Sequence, residues 1–167
     1  MNNLRFEDFK NPNFIVKSGL IAAIYAILTV SFPAFSYGPI QFRVSEILVL
    51  LVFYNDRFIP GLLLGCAIAN FASPIAIFDV PFGTLASFLA FIGIRKSKSL
   101  FVASIFPTLS MIIPAIGSYL LLENTSSFLL MLFYFALSEF FVVSVLGVII
   151  FKIIEKNDAL VKYIFNF

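Results

Sequence analysis

Long apolar runs separated by short polar breaks set the architecture of this chain. A helix crossing the hydrocarbon layer needs roughly 17–25 residues, fewer where its ends snorkel or the bilayer thins. Six runs read as spans. The first extends from about Val16 to Phe32 and stops at Pro33, and the second lies near Arg43 to Tyr54. The third opens at Phe58-Ile59-Pro60, with proline in the first turn where its missing N–H is tolerated, and ends near Ser73-Pro74. The fourth runs from about Phe82 to Ile94. The fifth runs from Leu100 to Leu122 and contains Pro107, Pro114 and Gly117; the sixth runs from Ser127 to about Ile154. The pattern predicts an all-α, polytopic membrane protein. A cytoplasmic N-terminal segment covers 1–15, a six-helix membrane domain 16–155, and a cytoplasmic tail 156–167. Spans two and four are short and five is interrupted. In transporters such helices flank binding sites, because irregular backbone survives in a bilayer only against protein or trapped water; a thin or tilted bundle is the alternative.

Composition supports the bilayer. The chain is 61% hydrophobic and 12% charged, with a mean hydropathy of +1.05, against about 25% charged residues in soluble domains. A folded chain of 167 residues cannot hide that much apolar surface from water. The net charge of +2 is too small to point to nucleic acid. Cys66 alone makes no intrachain disulfide. The absence of histidine removes the usual general base, a Ser–His pair and a His-ligated metal site, so no metal and no catalytic residue is assigned. No GxxxxGK[ST] loop is present, so ATP is not bound through a P-loop. An enzyme using only Asp or Glu has no paired-carboxylate motif behind it. Residues 1–14 are polar and mixed in charge, so the first run reads as a retained helix rather than a cleaved leader.

Basic residues set the orientation. With six spans and an inner N-terminus, the cytoplasmic side holds Arg5, Lys10, Lys17, Arg57, Arg95, Lys96, Lys98, Lys152, Lys156 and Lys162, and the outer side holds only Arg43. This is the asymmetry of a protein with both ends inside. The outer segments are then about 34–43, 74–81 and 123–126.

Polar groups near the outer half carry the candidate chemistry, since ionisable residues within spans are costly and functional by default. Glu139 sits about 17 Å into span six at the helical rise, among apolar neighbours; the alternative is a structural carboxylate. Glu46 lies one turn into span two, after Gln41 and Arg43, and Arg43 at i−3 can pair with it on one face. Asn70 lies near the outer end of span three, as interhelical glue or pocket lining. Asp79 binds ligand, pairs with Arg43 or faces water. Glu123 and Asn124 read as solvated loop. Tyr37, Phe42, Phe71, Phe78 and Phe82 surround this set. Carboxylates accept from amines and ring N–H groups, and aromatic faces stack on rings and attract cations, so the set suits a planar, polar-edged solute, neutral or cationic. Three small-xxx-small pairs, Ala22/Ala26, Gly61/Gly65 and Ala86/Ala90, mark close helix approach, within the bundle or toward a partner.

The segment Ser36-Tyr37-Gly38-Pro39-Ile40-Gln41-Phe42-Arg43-Val44-Ser45-Glu46, with Ile59-Pro60-Gly61-Leu62-Leu63-Leu64-Gly65-Cys66-Ala67-Ile68-Ala69-Asn70 and Phe78-Asp79-Val80-Pro81-Phe82-Gly83-Thr84-Leu85-Ala86, resembles the QueT family. These are substrate-specific S components of energy-coupling factor (ECF) transporters, assigned to queuosine precursors. The resemblance covers roughly residues 16–155. A proline that often closes the apolar run after the glutamate is missing at Leu51-Val52, and Pro81 is unusual. The resemblance implies a six-helix S-component bundle in the cell membrane that holds a 7-deazaguanine such as preQ1, preQ0 or queuine near the outer face. The polar set read from the residues fits this ligand independently: Gln41, Arg43, Glu46, Asn70, Asp79 and Glu139 are expected to contact it, with Glu46 and Glu139 taking the guanine edge and the aminomethyl group in either order. The implied partners are a membrane coupling protein and two cytoplasmic ATPases, which use the ATP, with no cofactor in this chain. S components of this class dock through an Ala-x-x-x-Ala face on helix one, a pattern that Ala22 and Ala26 match. The competing reading is a solitary membrane transporter or binding protein for another small planar solute.

Overall fold

Asn11 starts the first long helix: its side chain accepts from the Asn13 N–H at 3.0 Å, and Pro12 occupies the first turn. The computed structural model describes residues 4–37, 41–121 and 127–165. Helix α1 covers Pro12–Val30, α2 Val44–Tyr54, α3 Ile59–Phe71, α4 Ala76–Lys96, α5 Leu100–Leu120, α6 Phe128–Ile154 and α7 Asp158–Phe165. Short turns of helix at Phe6–Lys10, Pro33–Ser36 and Asp56–Phe58 fill the links. No strand occurs among the described residues. Helices α1, α4, α5 and α6 are each long and apolar enough to cross a membrane, and the outside of the bundle is apolar: Leu20, Ile27, Phe71, Leu109, Leu129 and Ile153 are more than half exposed. Such a surface is stable against lipid and not against water. The chain is an all-α polytopic membrane protein.

The helices that form this cleft-bearing bundle differ from the sequence expectation in instructive places. α4 begins at Ala76 rather than near Phe82, so most of the expected outer segment 74–81 is helical. Pro81 has no N–H to give, and its ring would strike the carbonyl four residues back in a regular α-turn. A π-helical turn at Asp79–Gly83 takes it in without ending the helix. α2 begins as a 3-10 helix over Val44–Leu50. α5 breaks at Met111, between Pro107 and Pro114, because Pro114 cannot donate to the carbonyl of Ser110. α6 is continuous but changes to π geometry over Phe140–Gly147. The fifth span's last expected residue, Leu122, and the outer segment with Glu123 and Asn124 lie outside the described residues.

Helix α1 packs most extensively on α3, and the contact has no room for side chains. A Cβ on Gly61 would fall 2.7 Å from the Ser18 carbonyl oxygen, and one on Gly65 would fall 2.8 Å from both the Ala22 carbonyl oxygen and the Tyr25 Cβ. α2 is the central element, with Val49, Leu50, Leu51 and Val52 buried. At rises of ~2.0 Å and ~1.5 Å per residue it is roughly 20 Å long, too short to face lipid from side to side. Ser144 Oγ donates to the Ser104 carbonyl at 3.0 Å and ties α6 to α5.

One end of the bundle gathers the basic links. Arg57 lies 2.7 Å from Asp8, and Arg95 lies 2.9 Å from the fully buried Asp56. The expected tail also folds back here: Tyr54 stacks on Phe165 at 3.8 Å between ring centroids and on Phe151 at 5.6 Å, and Asn55 Nδ2 donates to the Phe165 carbonyl at 3.2 Å.

Candidate functional site

At the opposite end the helices part around a cleft. Its walls are Gln41, Arg43 and Glu46 from the start of α2; Asp79, Gly83 and Ser87 from α4; Met111 and Pro114 at the break in α5; and Phe135, Ser138 and Glu139 from α6. The free volume between these side chains is about 20 Å³, room for about one water molecule, so a ring-sized ligand enters only as the walls move apart. α2, α4 and α5 depart from regular α geometry where they meet the cleft, and α6 does so directly after Glu139. Such departures free backbone groups that a bilayer cannot satisfy and a polar cleft can.

Arg43 organises the mouth. Its Nε donates to the Ser36 carbonyl at 3.1 Å, its Nη1 to Asn70 Oδ1 at 3.1 Å, and its Nη2 lies 4.0 Å from Asp79 Oδ2. The guanidinium also sits 5.7 Å above the Tyr37 ring. Tyr37 in turn donates from its hydroxyl to the Ala69 carbonyl. Asp79 accepts from Ser73 Oγ and is buried rather than facing water. Arg43 thus pairs across to α3 and α4, not down its own helix to Glu46. Asn70 is fully buried behind the wall and does not line the cleft. Its amide packs on Gly83, where a Cβ would fall 2.6 Å from Asn70 Nδ2.

The two glutamates differ. Glu46, 5% exposed, accepts at Oε1 from the hydroxyl of Tyr25, which is 1% exposed on α1. A second polar link runs beside it: Thr29 and Ser45 share a hydrogen bond of 2.6 Å, and Ser36 Oγ donates to the Thr29 carbonyl at 2.7 Å. Glu139 is 4% exposed, and its Oε1 is buried with no hydrogen-bond partner. The preceding Ser138 turns its hydroxyl back onto the Tyr134 and Phe135 carbonyls at 2.9 and 3.0 Å, so it does not serve Glu139. Formally the cleft sets Glu46, Asp79 and Glu139 against Arg43 alone.

Of the six residues singled out from sequence for substrate contact, Gln41, Arg43, Glu46, Asp79 and Glu139 share this cleft, and Asn70 supports it. The aromatic set is different from expectation. Phe71 points outward and is 70% exposed, Phe42 packs edge-on against Phe141, and Phe78 stacks on Phe82; the aromatic wall is Phe135. Ala22 and Ala26, the pair matched to a docking face, are buried in this structure. They are 2% and 9% exposed, and Ala22 is covered by Gly65 of α3. The pair closes the bundle internally; the exposed small residues of α1 are Gly19 and Ala23. Tyr25 was missed altogether. Its signal was the stripe Ser18, Ala22, Tyr25, Thr29, which recurs at helical spacing on one face of α1.

The QueT transporter family model matches residues 15–156. A curated relative, "Queuosine precursor transporter QueT" of Lactococcus lactis subsp. cremoris, is 49% identical over 61 residues, which cover 35% of this chain and 36% of the relative. The chain is therefore aligned with about a third of that relative's length. No solved structure matches. With its membrane helices, its polar cleft and a family match that takes in nearly all of the bundle, the chain belongs to the QueT transporter family.

Proposed function

We propose that this chain is the substrate-binding (S) subunit of an ECF-type importer, and that its cleft captures a queuosine precursor of the 7-deazaguanine class at the outer face of the cell membrane. The observation that carries the reading is Glu139 Oε1, a buried acceptor without a partner in a cleft. An unsatisfied buried acceptor is costly, and a ligand donor relieves it. The guanine edge presents N1–H beside an exocyclic amine, a bidentate match for a carboxylate; Glu139 takes that edge. Gln41 and Arg43 supply donors for the ring carbonyl, Phe135 lies along the ring, and the ammonium of an aminomethyl substituent goes to Glu46. Asp79 and Asn70 act through Arg43, which they hold. The surplus of carboxylates favours a cationic ligand. The solute is bound and released chemically unchanged.

The ten-to-one distribution of basic residues supports cytoplasmic termini and an outward cleft. On this reading a membrane coupling protein and two cytoplasmic ATPases complete the importer, ATP is used on those chains, and the coupling protein meets α1 on its exposed Gly19/Ala23 side. Calorimetry of the purified chain against preQ1, preQ0 and queuine tests the ligand class: saturable binding of at least one is expected, and no heat with any of the three overturns it. Affinity purification tests the partners. An S subunit brings down the coupling protein and ATPases; a solitary transporter brings down neither.

A further inference from the structure

We infer that Tyr25 is a positioning residue that sets the specificity of the cleft by fixing the orientation of the Glu46 carboxylate. The inference rests on the 7-deazaguanine reading above and deepens it. Tyr25 lies outside the cleft wall, on α1, yet its hydroxyl reaches Glu46 Oε1. The ring has no freedom to leave. Tyr25 is 1% exposed, and Gly65 is glycine where any Cβ would stand 2.8 Å from the Tyr25 Cβ. The tyrosine is thus pressed from behind by α3 and presents its hydroxyl to α2. The Tyr25 hydroxyl takes one lone pair of Glu46 Oε1 and holds the carboxylate in one orientation. A carboxylate held in this way suits a point donor such as an ammonium group. It is a poorer partner for a planar pair of N–H donors, which needs both oxygens in line with the donor pair. Glu139, with Oε1 uncommitted, is left as the carboxylate for the planar edge. Tyr25 therefore prevents the two glutamates from competing for the same edge and orients the ring in one direction.

The experiment compares two bases, 7-aminomethyl-7-deazaguanine and 7-deazaguanine, which share the planar edge and differ only in the ammonium arm. Binding of each is measured by calorimetry to the parent, Tyr25→Phe, Glu46→Gln and the double variant in detergent. Tyr25→Phe keeps the ring that fills the α1–α3 contact and removes only the hydroxyl. The expected result is a loss of about tenfold for the aminomethyl base and less than about twofold for 7-deazaguanine. In the Glu46→Gln background the second substitution should add nothing, since the two act through one contact. Equal losses for both bases, or a Tyr25→Phe effect that persists in full beside Glu46→Gln, would assign Tyr25 a packing role and overturn the inference while the cleft reading stands. A parent that binds neither base removes both.

Discussion

Replacing Glu139 with glutamine separates a ligand-binding carboxylate from a structural one, because the two roles predict opposite signs for stability. In the empty protein Glu139 Oε1 is buried without a partner, and the same cleft holds Glu46 and Asp79 against one guanidinium. An unsatisfied buried acceptor costs about 1–3 kcal/mol, and more when charged. The amide keeps an unpartnered oxygen but carries no charge to desolvate, and its two N–H donors face a cleft rich in carboxylate acceptors, so Glu139→Gln should stabilise the empty chain by roughly 1 kcal/mol. For a chain of this size each kcal/mol moves the midpoint by about 2–4 °C, which a thermal unfolding scan in detergent resolves. Affinity should move the other way. A hydrogen bond to a charged group contributes about 1.5–3 kcal/mol, which is a loss of roughly 10–150-fold in Kd for the 7-deazaguanine edge, read by calorimetry. The joint outcome is a more stable empty protein that binds poorly. If the variant instead melts lower and binds like the parent, Glu139 is holding the bundle together through contacts of its own, and the assignment of the planar edge fails.

The mouth and the α1 surface give two more tests. Gly83→Ala places a methyl group 2.6 Å from Asn70 Nδ2, so the amide must shift away from Arg43; a loss of about five- to tenfold in affinity, the worth of one hydrogen bond, is expected with the melting point nearly unchanged, and unaltered binding would show that Asn70 does not hold Arg43 in place. Ala22→Trp and Ala23→Trp should diverge. The first forces a large side chain into a contact that is 2% exposed and should abolish folded yield on size-exclusion chromatography, whereas the second, on the exposed side of α1, should fold and bind ligand but fail in uptake and in co-purification with the coupling module; normal folding of the first would mean that α1 does not pack on α3 as described.

Charge made much of the cleft legible in the sequence. A carboxylate within an apolar run is expensive enough to be noticed, and Glu46 and Glu139 do reach one cavity, with Arg43 and Asp79 at its mouth. The orientation of α1 was not legible. Apart from the stripe Ser18, Tyr25 and Thr29 that helix is largely apolar, and two small-xxx-small pairs, Ala22/Ala26 and Gly19/Ala23, sit on it three residues out of phase. Spacing identifies both and distinguishes neither; what decides is that the Gly61/Gly65 pair of α3 packs against Ser18, Ala22 and Tyr25. Pro81 misled for a related reason. Read alone it closes a loop, but a π turn can carry a proline that an α turn rejects, and the extension of α4 to Ala76 brings Asp79 inward to Arg43 instead of leaving it in the outer loop. Tyr25 was hidden because a tyrosine in a span is ordinarily a packing or interfacial residue, and its value depends on a glutamate twenty-one positions away.

The distribution of irregular helix has a mechanical consequence. α1 and α3 are regular and joined through glycine contacts with no free space, so neither can shift without a clash of backbone against backbone. The cleft walls on α2, α4 and α5 instead include a 3-10 turn, a π turn and a proline break, and the wall on α6 is regular helix that passes into a π segment just beyond Glu139. Such turns interconvert with α geometry by moving one hydrogen bond per residue, which rotates the side chains beyond them. Asp79 and Gly83 lie within one of these turns, and Glu139 immediately precedes another. Glu46, by contrast, is tied through Tyr25 to the close-packed α1–α3 pair. The two glutamates of the cleft thus rest on different supports, Glu46 on regular helices joined through glycine contacts and Glu139 at the boundary of an irregular segment.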